Sequence, residues 1–477
     1  MFIESGKPNA RLALAQNTDW LAAQLARTLW RDEETPATIN AIAVTQVRET
    51  KKGVTLLYEV ALHGAPQMYV GHLVPPERFA EEHASVLKKA KIPPAHGRTV
   101  IVVPEVDLIL SAFPNDRKLK LISEDYLRAW LVQHLHEVAE EAPRARNWQV
   151  HALAIEVLRY VPERRFTARC RVRLHDEGGI EHEISFIAKQ LTDAPKARRL
   201  FNHLRSLQRA WRNDSTLKRG SEDAQPHSRP SLRLPRAYAW EEGQAVVFIE
   251  DLPGQNLKQI LFEIDHDAML FNVGALLADF HRMQKRVRKR VTIKNELKEN
   301  RKARSIIGKA FPHMRPLVRN ILTQLSDLAG QVPATPEILL HGTYRLNHIF
   351  LREEELILLD LDSLRLGPPA YDLANFLASL YYLEAQERIA AALRQNLARR
   401  FLEGYFSRCT WTVSPLAVLW FCASLLLNKQ TSKYVTHLHD DREEKARRML
   451  SLADATLQLC RNLPEDVSGA TLWKILP

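Results

Sequence analysis

The chain has 477 residues, of which 45% are hydrophobic and 26% charged, and its formal net charge is +11 at pH 7. That balance excludes a disordered chain, and the length exceeds one ordinary core, so two or three packing units are expected. Cys170, Cys409, Cys422 and Cys460 lie far apart with no C-x-x-C spacing, which argues against a zinc site or a disulfide scaffold.

The first residues, MFIESGKPNAR, carry no signal-peptide apolar region. The most apolar run, Pro415-Leu427, is 13 residues long, too short to span a bilayer and suited to a buried core helix. The expectation is a soluble protein of the cytoplasm, with no membrane contact. Glycine is scarce, at 17 residues, which fits a helix-rich chain.

In chain order, Thr18-Asp19 predicts a helix start, with Leu21, Leu25 and Leu29 following at i,i+4 spacing. Strands follow at Ala41-Arg48, Val54-Leu62 and Met68-Val74, separated by turns at Lys51-Lys52-Gly53 and His63-Gly64-Ala65-Pro66. A helix near Glu77-Lys91, a strand at Thr99-Val103 and a helix at Asp125-Glu141 complete an α+β unit over residues 1–145. Three strands then run through HALAIEVLRYV, RFTARCRVRL and EHEISFIAKQL. The helix Asp193-Arg212 follows, with Pro195 in its first turn and Leu200, Leu204, Leu207 and Trp211 on its apolar side. After a polar linker, strands at Arg236-Trp240 and Ala245-Glu250 close this region at residue 251.

From residue 252 the pattern is helical, with helices at Ala268-Met283, Ala385-Ser407, Leu416-Lys429 and Arg442-Cys460. Lys285 to Arg304 holds ten basic and two acidic residues, a net +8 in one stretch. This is either a solvated helical face or a surface for an anionic substrate or acidic partner. No nucleic-acid-binding module accompanies it, so nucleic acid is not the expected partner.

The most informative stretch is Ile338 to Leu377, ILLHGTYRLNHIFLREEELILLDLDSLRLGPPAYDLANFL. A short strand leads into a polar turn, and a strand pair (Ile349-Leu351, Leu356-Leu359) delivers Asp360 and Asp362 at a strand end. Gly367-Pro368-Pro369 breaks the chain, and a helix opens at Asp372 with Leu373, Phe376, Leu377 and Leu380 on one face. Carboxylates at a strand end beside a His-Gly turn are a candidate Mg²⁺ and phosphate site.

This stretch resembles the catalytic segment of the aminoglycoside phosphotransferase and choline kinase family, a branch of the protein-kinase-like fold. The family reads H-G-D-x-x-x-x-N, then an apolar strand ending I-D-x-D/E, then G-x-P-x-x-D-L-A. His341, Gly342, Asp360, Asp362, Gly367, Pro369, Asp372, Leu373 and Ala374 fit that pattern. The catalytic Asp falls on Thr343, and the metal-binding Asn on His348, with Asn347 one place early.

The resemblance implies an α+β, two-lobe fold: a small antiparallel-sheet lobe over 146–251, a large helical lobe over 252–477, and the 1–145 unit appended in front. It implies ATP with Mg²⁺ or Mn²⁺ as cofactors and a small-molecule hydroxyl acceptor of unspecified identity. Lys189, ending the third strand in I-A-K, matches the lysine that steadies the ATP phosphates. Glu250 opens a hinge-like E-D-L-P-G. The turn over the phosphates reads Val161-Pro162-Glu163-Arg164-Arg165, without glycine, so Arg164 or Arg165 would supply charge in place of backbone amides. No acidic residue follows Asp193 in its helix before Asp214 to pair with Lys189. Asp360 would hold the metal, with His348 as a further ligand better suited to Mn²⁺. His341 would orient the turn, Asp362 would assist or take the proton, and Asp372 would cap its helix and bond the turn's backbone.

Thr343 cannot act as a general base at neutral pH, because a hydroxyl has no accessible conjugate base. Three readings therefore stay open. The chain is a nucleotide-binding, pseudokinase-like protein with a degraded base, a working phosphotransferase with a non-standard site, or a scaffold acting through its basic face.

Overall fold

The computed structural model describes residues 3–4, 7–8, 10–31, 38–50, 52–62, 65–139, 148–213, 231–436 and 441–477. Lys51, the His63-Gly64 turn, Glu141 and the linker over 214–230 lie outside the described residues. The chain divides into two compact units. One comprises Met1–Phe201, Ala237–Asp251 and Thr436–Leu438; the other comprises Asn202–Arg236, Leu252–Val435 and His439–Pro477.

The first unit carries two five-stranded antiparallel sheets. In the first sheet, Ile39–Thr50, Gly53–Leu62 and Ala65–Leu73 form a meander, and Leu108–Ala112 and Val100–Val103 extend it. Leu21, Leu25 and Leu29 of the first predicted helix pack on Leu56, Tyr58 and Val60 of this sheet. That helix spans Thr18–Thr28, and its cap is Asn17, whose side chain accepts from Trp20 N at 3.0 Å. A preceding helix, Ala10–Gln16, and the strand Leu108–Ala112 were not legible from periodicity: one is too short, the other buried along its whole length.

The second sheet orders Ala237–Glu241, Val246–Glu250, Glu181–Leu191, Arg165–His175 and Gln149–Val161. Its alternation is strict over Glu181–Leu191: Ile184, Phe186 and Ala188 enter the core, which sends Ser185, Ile187 and Lys189 to the opposite face. Trp130, from the helix Glu124–Val138, stacks on Phe248 at 3.9 Å between ring centroids. Leu57 and Val70 of the first sheet belong to this same buried cluster, so the first sheet contributes to this core as well as to its own.

The second unit is helical, with two small sheets. Ile349–Arg352 and Glu355–Leu358 pair as expected, flanked by Gln255–Asn256 and, in parallel, by Ser231–Arg233. Ile338–Leu340 pairs with Arg365–Gly367. Helices run over His266–Arg282, Ile293–Ala310, Arg315–Leu328, Ala370–Ala385, Ala391–Phe406, Pro415–Leu425 and Arg442–Arg461. The helix expected from Ala385 begins later, at Ala391: Ala385 ends the helix that was expected to open at Asp372, and Glu387 turns left-handed at φ 56° between the two. Helices His266–Arg282 and Ala391–Phe406 cross with their backbones in contact. A Cβ on Gly404 would lie 1.9 Å from Phe271 O, and one on Gly274 would lie 2.0 Å from Phe401 O. Among the described residues no helix is long and apolar enough to cross a membrane.

Candidate functional site

The turn from His341 to His348 is built around one carboxylate. Asp372 is fully buried, and its Oδ2 accepts from His341 N (2.7 Å) while Oδ1 accepts from Gly342 N (2.8 Å). His281 Nε2 lies 3.2 Å from the same carboxylate, and its other ring nitrogen meets Tyr405 Oη at 2.9 Å. Burial opposes the charge on Asp372, but donors from His281 and the turn outweigh it and hold the carboxyl below its usual range. The helix Ala370–Ala385 takes no side-chain cap at its start, so Asp372 bonds the turn and not its own helix. Gly342 sits at φ 82°, and a Cβ there would lie 2.4 Å from Ser363 O, so the turn needs glycine.

His341 is wholly buried, and burial lowers its basicity. Its Nε2 lies 2.9 Å from Leu359 O, which makes that nitrogen the protonated one and leaves Nδ1 as acceptor. Thr343 Oγ1 is 3.4 Å from Nδ1, so the hydroxyl can donate to the ring. His348 is buried, and Arg345 Nε (3.1 Å) and Nη2 (2.9 Å) approach its Nε2. Asp360 Oδ2 is 3.2 Å from that same nitrogen. Asp360 adopts the left-handed conformation at φ 59°, a rare one for a residue other than glycine. Asp362 follows in the short turn Leu361–Ser363.

His341, Thr343, His348, Asp360 and Asp362 thus share one turn region of the helical unit. Lys189, Arg164, Arg165 and Glu250 belong to the sheet-rich unit. There Lys189 pairs across the sheet with Thr167 and Val247, on the face away from the core. Arg169 and Ser185 share that face and both reach Asp251 Oδ2, at 2.7 and 2.6 Å. Glu250 is buried at the strand end.

The glycine-free turn is gripped from behind. Glu163 is left-handed at φ 62° and buried, and its amide donates to Asp116 Oδ2 at 2.7 Å. Tyr160 Oη donates to the same oxygen at 2.7 Å. The Glu163 carboxylate takes Lys118 Nζ at 2.8 Å and Arg117 Nε at 2.6 Å, and Arg117 also pairs with buried Glu82. Arg48 and Gln46 of the first sheet donate to Pro162 O and Tyr160 O. Arg164 is exposed, and Arg165 begins the next strand.

Two residues escaped the sequence reading. Lys429 Nζ donates to Gly342 O (3.2 Å) and to Asn375 Oδ1 (2.9 Å). Arg365 Nε donates to Ser363 O at 3.0 Å. Both lie beside the turn, and a lone lysine two residues past the most apolar run of the chain was the available signal for the first.

The carboxylates of Asp360 and Asp362 are oxygen donors, the class that Mg²⁺ prefers. Among the described residues no group of three or more His, Cys, Asp or Glu could hold a metal ion. The pair therefore fits an ion carried in with nucleotide phosphates and not one held in a protein cage. His348 fits less well as a ligand, because Arg345 already approaches its Nε2.

Residues 186–408, just under half of the chain, match the family model described as the phosphotransferase enzyme family. No curated protein matches. Similar solved structures include the gentamicin complex of APH(2")-IIa, 12% identical with a TM-score of 0.38, covering 74% of this chain and 99% of that one. Spectinomycin phosphotransferase APH(9)-Ia with ADP and spectinomycin is 11% identical with a TM-score of 0.43, covering 72% and 100%. A choline/ethanolamine kinase family protein from Mesorhizobium loti is 11% identical with a TM-score of 0.36, covering 64% and 88%. The chain is α+β, with a sheet-rich unit and a helical unit, and its residues 186–408 are similar to the phosphotransferase enzyme family.

Proposed function

We propose that the chain is a nucleotide-binding phosphotransferase-family protein whose catalytic turn keeps its frame and has lost its base. One observation carries this reading: Asp372 fixes the backbone of His341 and Gly342, yet the next side chain is the neutral hydroxyl of Thr343. Asp360, with Asp362, is the candidate to hold Mg²⁺ or Mn²⁺ with ATP. When bound, such an ion would neutralise phosphate charge. Lys189 is the candidate for the phosphates, and Glu250 and Asp251 begin the segment that would meet the base through backbone groups. Arg164 and Arg165 remain candidates for added positive charge. His341 acts as a positioning residue, holding Leu359 O with one nitrogen and facing Thr343 with the other. A missing general base commonly costs about 10²–10⁴-fold in rate, so transfer is slow in this reading.

A second reading rests on the 3.4 Å contact between Thr343 Oγ1 and His341 Nδ1. The hydroxyl would take the acceptor's proton as it passes its own to the ring. Burial weakens His341 as a base, which disfavours this route.

The test is a thermal shift with ATP and Mg²⁺ or Mn²⁺, because a ligand of the native state must raise stability. Wild type is expected to be stabilised and Asp360→Ala not. Stabilisation that survives Asp360→Ala unchanged removes the metal assignment. Thr343→Val separates the two readings: it leaves slow turnover unchanged in the first and abolishes it in the second.

A further inference from the structure

A cavity of about 780 Å³ lies in the helical unit, lined by Lys289, Arg290, Lys298, Lys302, Arg365 and Lys429 against two carboxylates, Glu296 and Glu299. Four of these cations come from the basic stretch that the sequence singled out. Its volume suits a small organic ligand. Exposed lysines alone would make only a solvated face; the inner wall is different.

Both carboxylates are already engaged. Glu299 Oε1 holds Lys302 Nζ at 2.6 Å, and buried Glu296 accepts from Ser424 Oγ (3.3 Å) and Asn428 Nδ2 (3.1 Å). Arg290 is paired outside the cavity with Glu337. On the inner wall, Lys429 donates to the neutral oxygens of Gly342 and Asn375. Arg365 donates to Ser363 O and approaches Tyr371 Oη at 3.4 Å. Among the described residues neither cation is in an ion pair. They also face the same ring: Lys429 Nζ lies 5.0 Å and Arg365 Cζ 5.6 Å from the centroid of Tyr371.

Two like charges around one ring repel each other in a partly dehydrated wall, and the nearby carboxylates of Glu296 and Asp372, each bonded elsewhere, offset this only in part. Burial first, and Arg365 next, pull the Lys429 ammonium down to about 7. The backbone is shaped to put it there. Leu426–Thr431 is a π-turn that interrupts the helical stretch and carries Asn428 and Lys429. Such turns occur frequently at functional sites. An anion would relieve the repulsion and meet a guanidinium and an ammonium beside the His341–His348 turn.

We propose that this cavity binds a small anionic molecule, bearing phosphate or carboxylate groups, whose anion is held by Lys429 and Arg365 next to the catalytic turn. The binding stands on the helical unit alone. Only its role as the phosphoryl acceptor rests on the function proposed above. A polycation is excluded by the same charges.

Calorimetric titration of the full chain in nucleotide-free, low-salt buffer tests this, using pyrophosphate, glucose 6-phosphate and citrate, with spermine as the cationic control. The phosphate and citrate arms separate the two ligand classes. At least one anion is expected to bind at one site per chain, and spermine is not. Lys429→Met and Arg365→Met should each weaken binding about ten- to a hundredfold, the usual effect of losing a hydrogen bond to a charged group. The exposed pair Lys298→Gln with Lys302→Gln should weaken it severalfold at low salt and less at high salt, and it keeps the test valid if Lys429→Met fails to fold. The proposal is overturned if no anion binds, or if binding ignores Lys429→Met, Arg365→Met and the rim pair alike. ATP-Mg²⁺ titration of Asp360→Ala and of the same variants keeps the two ideas apart. Anion binding without nucleotide binding fails only the nucleotide reading, and the reverse fails only this one.

Discussion

Around Glu163 in the sheet-rich unit, buried carboxylates meet cations. Glu82 takes Lys52, Arg78 and Arg117, and Glu163 takes Arg117 and Lys118. Around Tyr371 in the helical unit, two cations share a ring and donate only to neutral oxygens. The first arrangement is complete in itself, and its chemistry is structural. It ties the glycine-free turn to the loop Asn115–Lys118 and to the first sheet. The second is incomplete, and the missing partner is an anion. A residual charge excess in a cavity wall is a ligand signal, whereas a closed ion cluster is a folding signal.

Breaking the closed cluster should have the largest effect. Arg117→Met leaves Glu82 and Glu163 buried with fewer cations, and removing one partner of a buried pair costs about 3–5 kcal/mol. Urea unfolding of the full chain should show a loss of that order. A loss below about 1 kcal/mol would mean the cluster is solvated and the comparison fails. Gly404→Ala offers a packing control of similar size, because the methyl would meet the Phe271 carbonyl and force two helices apart. It should cost about 1–3 kcal/mol or more without touching either cluster.

The pH dependences should have the same sign, each in its own window. Burial opposes the ionisation of Glu163, but Lys118 and Arg117 outweigh it and hold the carboxyl down to about 2. Its folded pKa is depressed, so its contribution is complete above the unfolded value near 4.5 and is lost as pH falls toward 2. The Lys429 ammonium is depressed to about 7 by burial and Arg365, so the unfolded chain binds more protons between about 7 and 10.5. Stability should therefore rise with pH across that window, and Lys429→Met should flatten the rise. Denaturant titrations at pH 3, 6 and 9 on wild type, Glu163→Gln and Lys429→Met check both slopes. An alkaline rise unchanged in Lys429→Met would contradict the account of the cavity.

The smallest effect is expected from Lys429→Met at neutral pH without ligand. It removes a repelled charge, so stability should change by less than about 1 kcal/mol or increase. A large loss would make Lys429 a structural strut for Gly342 O and not a ligand group.

The sequence made the sheet-rich fold legible where alternation is strict, as in Glu181–Leu191, and where an apolar stripe is long, as in His266–Arg282. It placed the strand pair with the turn before it and Asp360 just after it, because the spacing of that segment is local. The family resemblance implied that Asp372 bonds the turn's backbone, as it does at His341 and Gly342, but nothing local revealed His281 on the same carboxylate, because that contact needs a helix 60 residues upstream of the turn. Lys429 was hidden because the apolar run before it reads as core, and the π-turn brings Asn428 and Lys429 to a cavity. The role expected of Arg164 and Arg165 was drawn from charge alone, whereas the turn's buried contacts are made by its acidic residue. Helix Arg315–Leu328 went unread, although Val318, Ile321, Leu322 and Leu325 carry helical spacing.

The frame of the catalytic turn and the loss of its base form the central claim, and ATP turnover by Thr343→Asp tests it most directly. With saturating ATP and Mg²⁺ and each anion that binds, ADP release is followed for wild type, Thr343→Ala and Thr343→Asp. The account predicts slow release in wild type, the same rate in Thr343→Ala, and at least about a tenfold gain in Thr343→Asp, within the range a general base supplies. Wild-type release faster than that of Thr343→Asp, and lowered about 10²-fold by Thr343→Ala, would contradict it.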